Sequence, residues 1–558
     1  MAGGSGSAST SIDIEELLKD FPDRMQTTLP EEMCIYHVPV DIRQVNKDAY
    51  TPQVICIGPI HQKNENQVMK ELKRRYFKQF LNRLPVGKRK PVLEDLVETI
   101  KGRVHKIRNC YEDAAYELCK DPKGCEFKIH NCYEDAAFEL RKDPKDREVE
   151  ILDCSEDDSS KRCEDQKVFW KMILWDAVFI FELFLKNREF KEDKKSQGKE
   201  DTEKYQEKYQ EKYKYDYIIA KPWLRSAVQR DLILLENQLP FCILQVLYGI
   251  VSKYNITGYS CPPKTGCSCL PETDKTCCSC LPETDCCCPC IAFRELTCTF
   301  FKNYNKNKNK TSPEKPLHFT DLVRSFFLPK DLNTKDPNPK DPSSQTIKKH
   351  YRATRLHQAG MKFKPKKPVE YNIKSWTDPE DDSIEKGKLY LPTLEIDDHT
   401  ECLFRNLMAL EQCHYPYEAF ICDYVKFLDF LVDTEEDADL LIKSKVIVNR
   451  LGESDDVAKL INKLCQGIAE VSSCYNRLAE ALNEYYDSCY NKSKAFLRRQ
   501  YFKNVWIGTG TVVGLIVLFI TLGNFVRSFF LVLKVRLLQC LYNSSFPFLW
   551  LINFTSLV

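Results

Sequence analysis

The chain has 558 residues, more than one hydrophobic core accommodates, and roughly one domain per 150 residues sets an expectation of three or four structural units. Its 82 Lys and Arg against 81 Asp and Glu leave a formal charge of +1, which excludes the broad basic field of a polyanion binder, so no nucleic-acid partner is expected. A hydrophobic share of 43% excludes a disordered chain, and only 19 glycines argue against phosphate-cradling loops and turn-rich β architectures. The expectation is a mainly α-helical fold with a few short strands.

In chain order, a short amphipathic pattern over Ile12–Leu29 predicts a peripheral helix. Prolines at 39, 52 and 59 break any helix over Ile35–His61, where extended structure is expected. Val68, Leu72, Tyr76, Phe80 and Leu84 recur every fourth residue, which predicts an amphipathic helix over 67–84 with a solvated basic face. Between Asn109 and Lys145 the chain repeats itself: NCYEDAAYELCKDPK and NCYEDAAFELRKDPK lie 22 residues apart, a duplicated helical segment rather than a solenoid. Val168–Lys186 is apolar except for Asp176, Glu182 and two lysines; the carboxylates argue for a central buried helix over a membrane span. A charged stretch with a four-residue Tyr-Gln-Glu-Lys repeat follows, and Arg225–Ile250 predicts two helices meeting at Leu239-Pro240.

Asn303–Pro316 and Asp331–Ser344 read as linkers or exposed loops. Gly387–Ile396 predicts a pair of short strands, and Thr400–Lys503 is helical in pattern almost throughout, with helix starts near Asp433-Thr434 and Asp455-Asp456. From Val505 to Val526 run 22 residues without a charge, enough at about 1.5 Å per residue to cross roughly 30 Å of hydrocarbon. Lys492, Lys494, Arg498, Arg499 and Lys503 precede this segment, against Arg527, Lys534 and Arg536 after it, which favours an N-terminal body in the cytosol. A second apolar stretch, Leu537–Val558, is interrupted by Asn543, Ser544, Ser545 and Pro547 and is expected to lie at the interface.

The resulting division is a polar N-terminus with a short helix (1–30), an N-terminal helical lobe (31–302) with insertions at 105–146, 186–216 and 261–290, a partly linker-like stretch (303–344), a C-terminal helical lobe (345–503), a transmembrane helix (505–526) and an apolar tail (527–558).

Ten cysteines crowd into Cys261–Cys290, where CSCLPETD recurs, but separated Cys-x-x-Cys knuckles are missing and an expanded loop is expected rather than a metal site. His-Glu-x-x-His, Gly-x-Ser-x-Gly and a loop ending in Gly-Lys-Ser/Thr do not occur in the sequence. Cys413-His414 reads as helix-end packing, and Asp397, Asp398 and Glu401 as acidic groups ahead of a helix. Arg230, Asp231 and Glu236 read as an internal ion pair and caps. No catalytic residue, metal site or cofactor is assigned, and no small-molecule substrate is inferred. Asn255, Asn309 and Asn491 begin glycosylation sequons that would be used only with the body outside the cytosol.

RDLILLENQLPF (Arg230–Phe241) resembles the most recognisable motif of the plant family whose shared region is called domain of unknown function 247. IYHVP (Ile35–Pro39), ICIGPIH (Ile55–His61), DAVFIFELF, HFTDLVRSFFLP, HQAGMKFK (His357–Lys364) and TECLFRNLMALEQC follow in that family's order, and together the matches cover roughly 30–530. The resemblance implies a mostly helical body, one membrane span near the C-terminus and no established enzymatic activity, with some grass members implicated in pollen–stigma self-recognition. The expected function is that of a membrane-anchored scaffold or signalling adaptor, in contact with the lipid bilayer through 505–526 and with an unidentified protein partner. The alternative expectation is a cell-surface recognition protein with an extracellular body.

Overall fold

A helix that is apolar on every side needs neighbours on every side, and the run Val168–Lys186 obtains them. The computed structural model describes residues 30–113, 160–197, 213–254, 289–305, 315–328, 346–348, 351–366, 384–385, 387–502 and 505–553. The helix expected within 1–30, most of the tandem repeat, nearly all of the cysteine-rich stretch and most of 303–344 lie outside them. In chain order the first half contains α1 (Val40–Arg43), α2 (Gln67–Arg83), α3 (Val86–Lys101), α4 (Val104–Asn109), α5 (Ser160–Gln197), α6 (Pro222–Asp231), α7 (Phe241–Lys253), α8 (Pro289–Phe300) and α9 (Phe319–Ser325). The apolar run is the middle of α5, and α2, α3, α7 and α8 surround it with Leu72, Phe80, Leu96, Leu244 and Phe293. Aromatic pairs tie the layer together: Phe184 stacks on Phe300 at 4.4 Å between ring centroids and Phe181 meets Tyr248 edge-on at 5.4 Å. Each such pair adds about 1 kcal/mol to the burial itself.

The two carboxylates of the apolar run are braces. Asp176 accepts from the Lys73 ammonium at 2.5 Å and from the Gly58 N–H at 2.9 Å, while Glu182 holds the Arg83 guanidinium at 2.6 Å. Both cations come from α2, so the pairs fix the register of α2 against α5. Asn66 caps α2 by accepting the Met69 N–H.

The second half contains α10 (Ala353–Ala359), β1 (Lys362–Pro365), β2 (Ile384–Glu385), β3 (Lys388–Leu391), β4 (Leu394–Ile396), α11 (Thr400–His414), α12 (Phe420–Leu431), α13 (Glu435–Lys443), β5 (Ile447–Asn449), α14 (Ser454–Leu464), α15 (Asn476–Asp487), α16 (Cys489–Tyr501) and α17 (Val505–Asn553). The expected pairing of the two strands over Gly387–Ile396 is corrected. β3 pairs with β1 in parallel and with β2 antiparallel, whereas β4 pairs in parallel with the distant β5. Thr434 starts α13 with a capping box closed by Asp437, and α14 begins at Ser454, as the sequence predicts.

Leu356, Phe363, Leu389, Phe427, Ile461 and Leu482 centre a second core, and α11 links it to the first by placing Phe404, Leu407 and Met408 in the N-terminal cluster. On the flank of α11, Ala409 and Leu410 join Tyr36, Val38, Tyr50 and Leu235 in a third, smaller cluster.

α17 contains Ile507–Tyr542, 36 residues with a window apolar enough to cross a membrane, none of which is buried. At about 1.5 Å per residue this is about 54 Å of helix, more than the roughly 30 Å a membrane core requires. Residues 527–553, most of the apolar tail and including much of the stretch Leu537–Val558 expected at the interface, continue the same helix without a break through Arg527, Lys534 and Arg536.

Candidate functional site

The stretch Arg230–Phe241 is where the fold departs most from the sequence expectation. Instead of two helices meeting at Pro240, α6 ends at Asp231, residues 232–240 are a non-helical connector, and Pro240 begins α7 as its N-cap. Every residue from Asp231 to Phe241 is buried. A buried connector must have its backbone groups paired, and here short polar side chains supply the partners.

Asp231 Oδ2 accepts the N–H groups of Gln53, Val54 and Ile55 at 3.0, 2.6 and 3.0 Å, and Oδ1 accepts from Arg230 at 2.9 Å. Asn237 Oδ1 accepts the Ile57 N–H at 2.6 Å while its amide donates to the carbonyls of Ile55 and Asp231. Gln238 donates to the Leu232 and Leu234 carbonyls, closing the connector on itself, and its Oε1 accepts the Phe319 N–H at the start of α9. Asn406 of α11 accepts the Leu235 N–H at 2.9 Å. Ile35–His61, expected to be extended and free of helix, instead contains α1 and a 3-10 turn at Lys47–Tyr50, and 53–58 is irregular chain held by side chains rather than by a sheet; among the described residues the isolated bridge is Ile35 with Tyr111.

Gly58 fits this junction because no other residue would. Its φ is +73°, and a Cβ there would lie 2.4 Å from the Gln238 carbonyl oxygen. His318 caps α9 through Nδ1, accepting the Asp321 N–H, while Nε2 faces the Cys34 carbonyl at 3.1 Å; burial pulls its pKa down to about 4, so the ring is neutral and donates from Nε2.

Glu236 faces the outer edge of the connector. It accepts the Val38 N–H at 2.7 Å and pairs with Arg43 and with His61 Nε2 at 3.0 Å. Burial would raise its carboxyl, but the hydrogen bonds from His37, His61 and Arg43 more than reverse this and hold it well below the usual carboxylate range. His37, half-exposed, hydrogen-bonds Asp113 at 2.7 Å, and that bond together with Glu236 pushes it up to about 10 against the opposing effect of burial. Arg230 and Asp231 form the expected internal ion pair, but neither Asp231 nor Glu236 caps a helix: Asp231 braces residues 53–55, and Glu236 pairs with Arg43 and His61.

Beside this hub lies a cleft of about 420 Å³ lined from both halves of the chain. Ser226 and Gln229 of α6 and Tyr304 form one wall; Thr393, Asp397 and His399 ahead of α11 form another; Phe404, Phe420, Tyr424 and Tyr475 make an aromatic floor. Among the described residues its lining contains no Lys or Arg. Asp397 accepts the His399 N–H and the Thr400 hydroxyl, and Glu401 is engaged by Asn46 and Arg405, so these acids serve the start of α11. His399 Nε2 stands 3.5 Å from the Ser226 hydroxyl. Among the described residues no group of three or more His, Cys, Asp and Glu is arranged to hold a metal ion. His414, at the end of α11, is aimed at the Tyr36 hydroxyl at 2.7 Å rather than at Cys413.

Sequence reasoning missed the cleft because its walls come from segments far apart in the chain, each carrying ordinary helix and turn residues. It missed the role of Asn237 and Gln238 too, though two adjacent amides in an apolar run ending in Leu-Pro are a signal for a buried, side-chain-bonded loop.

IYHVP, ICIGPIH, RDLILLENQLPF, HFTDL and FRNLMAL thus meet at one junction. The chain is 25% identical over 523 residues, 88% of its own length and 85% of the relative's, to the UPF0481 protein At3g47200 of Arabidopsis thaliana. A shorter similarity, 30% over 132 residues and 24% of each chain, relates it to the Putative UPF0481 protein At3g02645 of the same plant. No solved structure matches it. Residues 35–520 match the family described as DUF247, plant protein of unknown function, and the chain belongs to that family.

Proposed function

We propose that the chain is a membrane-anchored interaction protein, a scaffold or signalling adaptor, with its helical body on the cytosolic side and no reaction of its own. The observation that carries this reading is α17, whose spanning window is entirely exposed on a body that has its own buried cores. A helix of that composition is stable in hydrocarbon and a liability in water. Positive charge is denser before the span than after it, which supports a cytosolic body. Cys34 and Cys110, whose backbones are hydrogen-bonded to each other, are free thiols; this suits a reducing compartment. The strongly held polar groups of the signature motif are engaged in bracing, and the cleft supplies the concave surface for a partner's side chains.

The test is alkaline carbonate extraction of plant membranes expressing the full chain or a chain ending at Phe502, followed by cross-linking of intact and Ser226→Trp protein. The full chain stays in the pellet, the shortened chain is released, and filling the cleft removes a discrete cross-linked partner. Release of the full chain, or a cross-link pattern indifferent to Ser226→Trp, contradicts the reading.

A further inference from the structure

Helix α16 is attached to the body by a narrow stripe and leaves the rest of its surface uncovered. Ala495 is buried, the Asn491 amide donates to the Tyr485 carbonyl at 2.8 Å, and Arg498 donates to the His357 carbonyl at 3.1 Å. The Lys494 ammonium lies over Gly360, where a Cβ would come within 2.6 Å of it. The HQAGMKFK motif is thus the seat on which α16 rests. At 3.6 residues per turn, Asn491, Lys494, Ala495 and Arg498 form that seated face. The uncovered surface presents Tyr490, Leu497 and Tyr501 on one flank and Phe496 on the other, exposed by 76, 49, 43 and 51%, with Ser493 and Gln500 between them.

Lys492 and Arg499 border this uncovered surface on one side, Lys492 lying 3.7 Å from Asp487 just ahead of the helix; Lys494 and Arg498 on the other side reach back to the seat, and the helix itself contains no acidic residue. α17 begins four residues after α16 ends, and Phe502 between them leans on Gly508 of α17. A helix with an apolar face rimmed by cations at the foot of a membrane span has the composition of an interfacial segment: aromatic rings at headgroup depth, ammonium and guanidinium groups among phosphates.

We infer that α16 lies on the leaflet that α17 enters and binds its anionic phospholipid headgroups, so that the body is held against the membrane in one orientation through the α10–β1 turn instead of swinging on a tether. The inference rests on the anchoring reading above and adds the lipid class and the docking element. Two observations commit the surface to lipid: its charge is complementary to an anionic leaflet, and it is continuous with the span.

The experiment is hydrogen exchange of the full chain in phosphatidylcholine nanodiscs, with and without phosphatidylserine, comparing amides of Cys489–Tyr501 with those of Asn476–Asp487. The phosphatidylserine discs slow exchange in α16 selectively, and high salt reverses it. Lys492→Gln with Arg499→Gln, which leaves the seated face intact, weakens the effect by about five-fold per charge. Phe496→Ser with Leu497→Ser abolishes it while α15 exchanges as before. Equal exchange in both discs, or protection that survives the double charge variant, overturns the inference while the chain remains carbonate-resistant. Protection that requires other plant membrane proteins overturns it too and assigns the face to a protein. Carbonate release of the chain overturns the anchoring itself, and this inference with it.

Discussion

Replacing Asp231 tests whether the signature motif is a brace. One carboxylate oxygen receives three backbone N–H groups, and only the Ile55 N–H belongs to a fully buried residue; Gln53 and Val54 reach the surface. In Asp231→Ala the orphaned Ile55 group costs about 2 kcal/mol, whereas the other two recruit water and cost about 0.5 kcal/mol each. Loss of the Arg230 pair contributes about 1 kcal/mol, since that guanidinium is mostly buried. The total of about 4 kcal/mol is a large part of the stability of an ordinary domain. Asp231→Asn keeps one acceptor oxygen for the N–H groups but turns an NH₂ toward Arg230, and costs about 2 kcal/mol. Asp231 and Asn237 hold the same segment, so Asp231→Ala with Asn237→Ala destabilises by less than the two single variants together, by at least about 0.5 kcal/mol. The assay is urea titration of the detergent-solubilised full chain monitored by pulse proteolysis, where Asp231→Ala lowers the midpoint by about 1 M. A loss under about 1 kcal/mol, or strict additivity with Asn237→Ala, would refute the bracing argument.

Gly58→Ala, forcing a Cβ against the Gln238 carbonyl at a positive φ, destabilises by more than about 3 kcal/mol, seen as loss of the folded full chain in expression; accumulation at wild-type levels contradicts the close approach. Burial raises Asp423 to about 7, so the folded state disfavours its charged form, and stability falls as pH rises from about 4 towards 7. Asp423→Asn is therefore neutral or stabilising at pH 8 and flattens that slope in urea titrations, whereas a large loss at pH 8 speaks against a protonated native carboxyl. His37, raised by Asp113 and Glu236, stabilises most fully below its unfolded pKa near 6.5 and loses that contribution as pH climbs towards about 10. His37→Gln removes this alkaline decline, and an unchanged profile between pH 6.5 and 10 discounts the pairing.

Helical content was legible because apolar residues at spacings of three and four recur over 67–84 and 400–503, where burial follows that period, and because 168–186 is apolar, and buried, on nearly every side. The capping box at Thr434 was legible for the same local reason. Leu232–Pro240 was misread because Leu232, Leu235, Leu239 and their neighbours fit a helical stripe. Periodicity cannot show that Asp231, Asn237 and Gln238 compete for backbone groups, two of them taking those of a segment almost 180 residues earlier. The partners of β3 and β4 were illegible from short strands, since β1 and β5 lie across intervening chain and register is set by packing. Asp176 and Glu182 looked like intrusions in an apolar run; their counter-charges are Lys73, which the pattern places on the solvated face of 67–84, and Arg83, which it places on no face. A charge pattern on one helix does not say which cations turn inward.

The central claim, a body anchored to a membrane from its cytosolic side, is tested most directly by protease protection on sealed plant microsomes carrying the full chain with a tag at its N-terminus, read with a glycosidase mobility shift. The account predicts digestion of the tag and no shift. Protection of the tag with a glycan on Asn255 or Asn309 would contradict it, placing the body in the lumen and making the protein a surface recognition module.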